Sequence, residues 1–206
     1  MPVFQPDLFE APLLKGLAYR EAIITSSEER ALIAGIEALD LAPFRFHGWE
    51  AKRRTASFGW RYDFDDASFG QTDAIPEWLL PVRERAALFA KLRPDDLAQA
   101  LVIRYDPGAA IGWHRDRPVF EHVVGISLNI PVTLRFRRRR VGGIDRVGVP
   151  LAPRSIYHLS GDARHVWEHS IVGMDRTRWS ITFRSLSEPL KLDLPLPSGP
   201  IGLLVD

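Results

Sequence analysis

The sequence contains no cysteine among its 206 residues. This excludes a disulfide scaffold, a cysteine zinc finger, a thiol nucleophile and an iron–sulfur cluster, so any metal must be held by histidine and carboxylate side chains. No apolar run reaches the roughly eighteen residues that a membrane-spanning helix needs. The first ten residues are acidic and interrupted by proline, unlike a secretory signal peptide. We therefore expect a cytoplasmic protein that does not enter a membrane.

Lysine is also scarce, because only 4 of the 27 basic residues are lysine and the other 23 are arginine. The net charge of +1 hides an uneven distribution: residues 104–184 contain 14 arginines but only 7 acidic residues. Arginine is the better partner for phosphate and carboxylate groups. The surplus therefore favours an anionic partner for this half of the chain, although a codon bias toward arginine would explain the overall excess equally well.

Two helical segments are expected in the first half of the chain. Apolar residues at helical spacing predict a helix over about residues 27–39, with Ser26 and Glu29 as its capping box. A second helix is predicted over about residues 77–92, where Pro94 follows as a stop signal.

A β-rich region follows from residue 99 onward. Short apolar segments alternate there with turn signals, a pattern typical of a sandwich or barrel of short strands. These segments are residues 99–105, 122–130, 132–137, 154–160, 164–171 and 178–186. No internal repeat or low-complexity linker interrupts the chain. We expect one α+β domain over residues 1–206, with a β-core at about 99–186 and a weakly structured, proline-rich tail at 187–206.

The string GWHRD places His114 and Asp116 two residues apart. In a strand, such side chains point to the same face, where an imidazole and a carboxylate can bind one metal ion. A third ligand has to come from a later strand: His165 and His169 are the candidates, followed by His158. Two histidines and one carboxylate form a facial triad with open coordination positions, which suits non-haem Fe(II) used in oxygen chemistry.

A single His-x-Asp pair is weak evidence for a metal site, because it occurs by chance in many proteins. We interpret His47, His122 and His158 most simply as surface residues or as hydrogen-bonded core residues. The metal hypothesis therefore depends on further motifs in the chain.

The segment RWSITFR, residues 178–184, alternates with the period of two of a β-strand. One face would carry Trp179, Ile181 and Phe183, and the other Arg178, Ser180, Thr182 and Arg184. Guanidinium groups inside a barrel need an anion, because burying an unpaired charge is costly. The two arginine Cα atoms are about 20 Å apart in a strand, so one carboxylate cannot serve both. A dicarboxylic acid with one end on a metal would satisfy both arginines. The alternative is that both guanidiniums lie in solvent at the rim of the sheet and need no such anion.

Three segments resemble, in order and spacing, the AlkB family of Fe(II)- and 2-oxoglutarate-dependent dioxygenases: YDPGAAIGWHRD, SGDARHVWEHSI and RWSITFR. The resemblance covers roughly residues 20–186. It implies a double-stranded β-helix (jelly-roll) core with N-terminal helices and a nucleotide-recognition lid at about residues 45–75. The implied cofactors are Fe(II), 2-oxoglutarate as co-substrate and O2.

The resemblance also implies roles for single residues. The implied iron ligands are His114, Asp116 and His169, which leaves His165 beside them or at the surface. Tyr105 and Arg178 would bind the distal carboxylate of 2-oxoglutarate, and Arg184 would lie at its metal end. Trp167 would serve packing.

Two positions depart from the family pattern. Ile103 and Ser180 stand where the archetype has asparagines that help to hold 2-oxoglutarate. Their loss is expected to weaken co-substrate binding by about 1 kcal/mol per hydrogen bond. Because the three metal ligands and both arginines are present, we still expect an active enzyme, with Ser180 remaining part of the co-substrate pocket.

The implied reaction removes methyl groups from nitrogen atoms of bases in DNA or RNA and releases formaldehyde, succinate and CO2. The base must leave its stack to reach the metal. Aromatic and basic residues are mixed in the lid, as in proteins that bind single strands: Trp49, Phe58, Trp60, Tyr62 and Phe64 with Lys52, Arg53, Arg54 and Arg61. We expect substrate contacts from Tyr62 and Trp60 and, by resemblance, from Arg164. Packing within a β-hairpin would explain the aromatic residues equally well.

The run RFRRRR, residues 135–140, has five arginines in six positions. A solvated turn needs no function, but in a family that binds phosphate backbones the run is a reasonable contact patch. We expect a monomer that binds methylated single-stranded DNA or RNA. Two alternatives stay open: an AlkB-like oxygenase acting on a protein or another non-nucleic-acid substrate, and a degenerate binding module.

Overall fold

A computed structural model describes residues 14–46, 49–63 and 67–188. The helices and strands follow in the order β1 (Leu17–Arg20), α1 (Ser26–Glu37), β2 (Ala42–Phe46), β3 (Trp49–Phe58), β4 (Trp60–Tyr62), β5 (Phe69–Gln71), α2 (Leu80–Ala90), β6 (Gln99–Tyr105), β7 (Ile111–His114), β8 (Phe120–Leu128), β9 (Val132–Arg140), β10 (Gly143–Leu151), β11 (Ser155–Leu159), α3 (Gly161–His165), β12 (Glu168–Ile171) and β13 (Arg178–Leu186). The interpretations of His47, Phe64 and the tail beyond residue 188 fall outside the described residues.

The strands form two main antiparallel sheets. The large sheet has the order β1-β11-β8-β13-β6-β3-β2 and the small sheet the order β10-β9-β12-β7, while β4 and β5 form a separate hairpin. From β6 to β13 the chain passes repeatedly from one sheet to the other. This winding is that of a double-stranded β-helix, so the predicted jelly-roll core is confirmed.

Apolar side chains fill two layers, one on each side of the large sheet. The outer layer joins the sheet to α1 and α2 and includes Leu32, Ile36, Val82, Val102, Ile126, Ile181 and Phe183. The inner layer lies between the two sheets and includes Val123, Leu134, Phe136, Leu151, Leu159 and Ile171. Because Trp179 also packs against the outer layer, the polar face of β13 points between the sheets, as its alternation predicts.

Helix α1 begins at Ser26, the residue predicted as its cap, so the observed N-cap lies one residue earlier. Thr25 is its N-cap: the Thr25 hydroxyl accepts from the Glu28 N–H at 3.2 Å, and the Glu28 carboxylate accepts from the Thr25 N–H at 2.7 Å. The prediction of a Ser26–Glu29 box was therefore wrong. Glu29 is buried and accepts from the Asn129 N–H and the Arg154 guanidinium instead, a long-range role that local pattern does not show.

Other boundaries differ where polar residues obscure the pattern. The second predicted helix consists of a 3-10 turn, Glu77–Leu79, followed by α2. Segment 164–171, predicted as a strand, is divided between the end of α3 and β12. Strand β10 was not predicted, because glycine, aspartate, arginine and proline interrupt its apolar residues. In the part of the chain that the structure describes, no helix is long and apolar enough to cross a membrane.

Candidate metal and co-substrate site

Two short strands of the small sheet carry the histidines of the GWHRD and WEHSI segments. His114, the last residue of β7, lies directly opposite His169 of β12, and their ring centroids are 4.3 Å apart. Opposite residues in an antiparallel pair share a face. On its other side His169 is opposite Phe136 of β9, which is buried between the sheets. Both imidazoles therefore point into the space between the sheets.

Asp116 completes this group from the loop after β7. Its Oδ2 lies 3.5 Å from His169 Nε2, and the ligand atoms of His114, Asp116 and His169 all lie within 4.8 Å of one another. No other group of three histidine or acidic side chains comes this close together among the described residues. One ion can lie between the three ligands.

The other two candidates for a third ligand are placed elsewhere. His165 ends α3, is exposed, and its Nε2 lies 2.9 Å from Glu121 Oε1. His158 pairs with His122, whose Nδ1 lies 2.9 Å from His158 Nε2. Among the alternatives that the sequence left open, the structure brings only His169 to His114 and Asp116.

Hydrogen bonds and neighbouring charges prepare the three candidate ligands for a metal. His114 Nδ1 lies 2.9 Å from the Gly112 carbonyl; because a carbonyl only accepts, Nδ1 is the donor and Nε2 is the ring nitrogen that remains for a metal. Burial lowers the pKa of His169 to about 3, so its imidazole is neutral. Burial alone would raise the pKa of Asp116, but the Arg184 guanidinium and the two histidines hold it below its usual range.

Arg184 fixes the carboxylate of Asp116. Its Nε and Nη2 donate to Asp116 Oδ1 at 2.9 and 2.7 Å, and its Nη1 donates to Gln99 Oε1 at 2.9 Å. The Arg184 side chain is 13% exposed and that of Asp116 is 7% exposed. This geometry occupies Oδ1 and leaves Oδ2 on the side of His169. The structure thus places Arg184 beside Asp116, as the resemblance implied.

Arg178 is the most unusual polar residue of the interior. It is 1% exposed, and its Nη2 donates to Ser127 Oγ at 3.0 Å, but its Nε and Nη1 have no hydrogen-bond partner among the described residues. Its guanidinium lies 4.9 Å from the ring centroid of Tyr105, which is also buried. A buried cation with two unsatisfied donors is costly without an anion. The structure therefore offers a site for a carboxylate between the sheets.

Ser180 lies in the same region. Its hydroxyl contacts Tyr105 Oη at 3.5 Å, and it is opposite Ile103 in the pairing of β13 with β6. Both residues are buried, and neither side chain has the amide donor that the family pattern has at these positions. Arg178 and Tyr105 carry most of the polar character of this end of the barrel.

A third cation on this face is Arg53, which the sequence placed only among the basic residues of the lid. Arg53 of β3 lies opposite Tyr105, which in turn lies opposite Arg178. Its guanidinium stacks 3.8 Å from the Phe44 ring centroid, and its Nη1 donates to the Ala110 carbonyl at 3.1 Å. Burial lowers the pKa of Arg53. Because Arg53 and Arg54 are consecutive in β3, the sequence places their side chains on opposite faces of the strand. It does not show which of the two faces points into the barrel.

Tyr157 is a second interior residue that sequence analysis did not single out. It lies on β11 opposite Gly125 of β8, and burial raises its pKa to about 12, so the phenol stays protonated. A Cβ at Gly125 would lie 2.2 Å from Tyr157 Cζ. The glycine thus provides the space that the ring occupies.

Replacing Gly125 with alanine is expected to destabilise the protein by about 1–3 kcal/mol, because the Tyr157 ring must move within a packed interior. Urea unfolding measures the change. Gly143→Ala is the matched control, since a Cβ there meets nothing within 4 Å. Equal unfolding midpoints for the two variants would contradict this assignment of Gly125.

Arg164 does not reach toward a substrate base, and this expectation needs correction. Its side chain is 3% exposed, and its Nη2 donates to the carbonyls of Arg117 and Phe120, each at 2.6 Å. Helix α3 places the guanidinium beneath the loop that follows Asp116, where two backbone carbonyls accept from its Nη2, while its Nε has no hydrogen-bond partner among the described residues. Arg164 therefore positions this loop.

The β4–β5 hairpin lies against the same loop. Trp60 stacks on Phe69 with ring centroids 4.9 Å apart, and Phe69 makes an edge contact of 5.8 Å with Phe120. The Arg117 guanidinium lies 4.5 Å from the Tyr62 ring centroid. Aromatic side chains of the hairpin thus contact the residues that come directly after a candidate metal ligand.

The paired histidines on the outer face of the large sheet affect stability at low pH. Burial, together with His122, lowers the pKa of His158 to about 4, against about 6.5 in an unfolded chain. Above pH 6.5 both states are neutral; between about pH 6.5 and 4 only the unfolded chain takes up the proton, so stability falls as pH falls through this window.

We expect His158→Gln to reduce this acid sensitivity by about 1–2 kcal/mol between pH 7.5 and 5. Urea midpoints at both pH values, with a chelator present, measure it. His169 is present in both the parent and the variant, so the difference between the two proteins measures the contribution of His158 alone to the pH dependence of stability. An equal loss of stability in parent and variant would show that His158 does not control the pH response.

Comparison with known families agrees with this geometry. The 2OG-Fe(II) oxygenase superfamily matches residues 44–184. The fold and the site define a double-stranded β-helix dioxygenase. The chain belongs to the 2OG-Fe(II) oxygenase superfamily and, within it, to the AlkB family, whose cofactors are Fe(II), 2-oxoglutarate and O2.

Two similar proteins illustrate the relationship. The chain is 27% identical over 165 residues to the tRNA (carboxymethyluridine(34)-5-O)-methyltransferase ALKBH8 of Mus musculus, an alignment that covers 76% of this chain and 24% of the relative. It is 26% identical over 182 residues to the alkylated DNA repair protein ALKBH8 homolog of Arabidopsis thaliana, an alignment that covers 77% of this chain and 51% of the relative. The chain thus spans about a quarter to a half of these relatives.

Solved structures share the fold at low sequence identity. The structure of OsALKBH1 has a TM-score of 0.65 at 15% identity, covering 82% of this chain and 96% of that chain. A Pseudomonas putida prolyl-4-hydroxylase has a TM-score of 0.60 at 14% identity, covering 84% of this chain and 93% of that chain. These two structures therefore share the two-sheet fold with this chain.

Proposed function

We propose that the chain catalyses Fe(II)- and 2-oxoglutarate-dependent oxidative demethylation of N-alkylated bases in DNA or RNA. The observation that carries the nucleic-acid part is the aromatic hairpin β4–β5, which packs on the loop after Asp116. A lid of this composition can hold a base next to the metal ligands. The printed names of the ALKBH8 relatives, which refer to tRNA and to alkylated DNA, support this substrate class.

His114, Asp116 and His169 would hold Fe(II). Their donor set is the two-histidine, one-carboxylate combination with open positions that Fe(II) oxygenases use. When bound, Fe(II), 2-oxoglutarate and O2 supply the oxidation of the N-methyl group to a hydroxymethyl group, which leaves as formaldehyde while 2-oxoglutarate becomes succinate and CO2. Arg184 keeps the Asp116 carboxylate ionised and oriented.

Arg178 and Tyr105 would bind the distal carboxylate of 2-oxoglutarate, with Ser180 beside them. The two unsatisfied donors of Arg178 fit this anion, and Ser127 fixes the guanidinium from the other side. Burial of this end of the barrel excludes water, so the charge pair that forms there is strong. Ile103 offers only apolar contact to the co-substrate.

The proposal assigns the lid to residues 45–75, with Tyr62 and Trp60 as its contacts to the substrate. Stacking of a base on an aromatic ring contributes roughly 1–3 kcal/mol. Arg164 holds the loop that follows Asp116 through the carbonyls of Arg117 and Phe120. In this position Arg117 contacts the Tyr62 ring, and Phe120 contacts the Phe69 ring. These residues would orient the flipped base toward the metal. We propose a cytoplasmic, monomeric enzyme that takes a single strand.

A demethylation assay tests the proposal. Purified protein is supplied with Fe(II), 2-oxoglutarate, ascorbate and short DNA or RNA strands that contain 1-methyladenine or 3-methylcytosine, and mass spectrometry follows loss of the methyl group. We expect demethylation with the parent chain and none with His114→Ala. The ratio of DNA to RNA turnover then identifies the preferred substrate.

Two other outcomes separate the parts of the proposal. Succinate formation without demethylation would retain the oxygenase and reject these substrates, which would favour a protein or another small substrate. No succinate and no binding of 2-oxoglutarate would leave only a binding module. Tyr62→Ala addresses the lid: we expect a higher KM for the strand with the uncoupled formation of succinate retained.

A further inference from the structure

The arginine run of residues 135–140 is a strand, β9, and its alternation divides the arginines between two faces. Arg138 and Arg140 both bind Asp145 of β10, at 2.9 and 2.7 Å, and are thereby neutralised in part. Phe136 has the same parity and is buried between the sheets. The remaining arginines of the run therefore lie on the opposite, outward face of the small sheet.

Trp113 organises this outward face. The guanidinium groups of Arg135 and Arg137 lie 5.0 and 4.6 Å from the Trp113 ring. Their Nε atoms donate to Ser170 Oγ at 3.2 Å and to Glu168 at 2.6 Å. Stacking on the indole and one fixed hydrogen bond each hold both guanidiniums in place.

Two further arginines extend the cationic surface. Arg146 of β10 lies opposite Arg137, and Arg139 is the next outward residue of β9; both are exposed. Neither has an ion-pair partner among the residues that the structure describes. We refer to Trp113, Arg135, Arg137, Arg139 and Arg146 as the arginine face.

The arginine face has a large charge imbalance. Among the described residues, the four guanidiniums have one ion-pair partner, Glu168, whose carboxylate lies 2.6 Å from Arg137 Nε. A sheet surface with this charge, and with donors held on an aromatic ring, is complementary to a row of phosphates rather than to an apolar partner. Arginine is the side chain that binds phosphate most specifically, through paired N–H donors.

The position of this face connects it to the metal site. Trp113 precedes His114 on β7, and Glu168 and Ser170 flank His169 on β12. The arginine face is therefore the reverse side of the two strands that carry the candidate histidine ligands. Because β7 is the edge strand of the small sheet, a nucleic-acid strand leaving the metal site can pass around this edge.

We propose that the arginine face binds the phosphate backbone of the nucleic-acid substrate, outside the nucleotide that reaches the metal. This inference rests on the proposed function for the choice of nucleic acid as partner. It adds a second contact region, separate from the lid and behind the ligand-bearing strands. The enzyme would then bind long strands more tightly than the few nucleotides that the lid can cover.

The test removes the two exposed arginines that have no partner, in the double variant Arg139→Gln with Arg146→Gln. Fluorescence anisotropy measures binding of an unmodified 15-nucleotide RNA at several salt concentrations, a readout that does not require turnover. We expect roughly tenfold weaker binding at low salt, and a slope of log K against log salt that is reduced by about 1.4 for two lost phosphate contacts. The KM advantage of a methylated 15-mer over the corresponding trinucleotide should shrink.

The matched control removes two positive charges from the helical layer, in the variant Arg30→Gln with Lys91→Gln. Both residues are exposed and lie on α1 and at the end of α2, far from the small sheet. We expect the control to retain the parent's RNA affinity and salt slope. Circular dichroism and unfolding midpoints confirm that both variants are folded.

The outcomes separate this inference from the proposed function. Unchanged RNA binding and an unchanged salt slope in the Arg139/Arg146 variant would overturn the inference, even where demethylation persists. Reduced binding in this variant only, without demethylation by the parent, would retain the arginine face and reject the proposed reaction. Arginine-dependent binding to anionic vesicles or to an acidic peptide, with none to RNA, would also overturn the inference.

Discussion

Replacing Arg178 with methionine is expected to abolish binding of 2-oxoglutarate without destabilising the protein. In the part of the chain that the structure describes, the buried guanidinium has only Ser127 as a hydrogen-bond partner, and two of its nitrogens are unsatisfied. Removing one partner of a buried charge pair costs about 2–5 kcal/mol of binding, or roughly 30- to 5000-fold in Kd. Without the anion, by contrast, an apolar side chain of similar volume is neutral or stabilising at such a position.

Calorimetric titration of 2-oxoglutarate into the Mn(II)-loaded protein measures the first effect, and urea unfolding the second. Arg54→Met is the matched control: Arg54 is exposed on β3 and lies opposite Arg104, whose side chain points away from the barrel interior. We expect the control to bind 2-oxoglutarate as the parent does. Binding by Arg178→Met within threefold of the parent would show that the carboxylate lies elsewhere.

The parts of the site that sequence predicts best depend on the alternation within one strand. Arg178, Ser180 and Arg184 share the interior face of β13, because Ile181 and Phe183 fix the other face in the apolar core. For His114 and Asp116 the sequence predicts the correct pair, although Asp116 follows the end of β7 and lies in a loop. These predictions need no knowledge of neighbouring strands, since a single apolar face determines which way every side chain points.

The third ligand could not be chosen in this way from the residues alone. His165 and His169 are only four positions apart, but α3 ends at His165 and β12 begins at Glu168. The register of β12 against β7 and β9 then decides which histidine points inward. Strand register is a property of the assembled sheet, and here only the family resemblance supplied it.

Arg164 and Arg53 were misjudged for a related reason. Each was given a role toward nucleic acid, Arg164 by the family resemblance and Arg53 because it lies in a segment of mixed basic and aromatic residues. In the structure, Arg164 donates to the carbonyls of Arg117 and Phe120, and Arg53 stacks on Phe44 and donates to the Ala110 carbonyl. Partners of this kind are far apart in sequence, so composition and spacing do not reveal them.

Asp116→Ala is expected to remove metal binding and, separately, to destabilise the metal-free protein by about 3–5 kcal/mol. The stability loss follows because Arg184 would stay buried without the carboxylate that two of its nitrogens contact. The double variant Asp116→Ala with Arg184→Met removes this unpaired charge, so it should recover most of the lost stability. It should still fail to bind Mn(II).

Urea unfolding with a chelator and Mn(II) titration by electron paramagnetic resonance measure the two effects independently. His114→Ala is the control that lacks a ligand but keeps the Asp116–Arg184 pair, so we expect it to lose metal affinity with a much smaller loss of stability. If Asp116→Ala were as stable as the parent, the ion pair would not be the cause of the low pKa of Asp116. If it bound Mn(II) with the parent's affinity, Asp116 would not be a metal ligand.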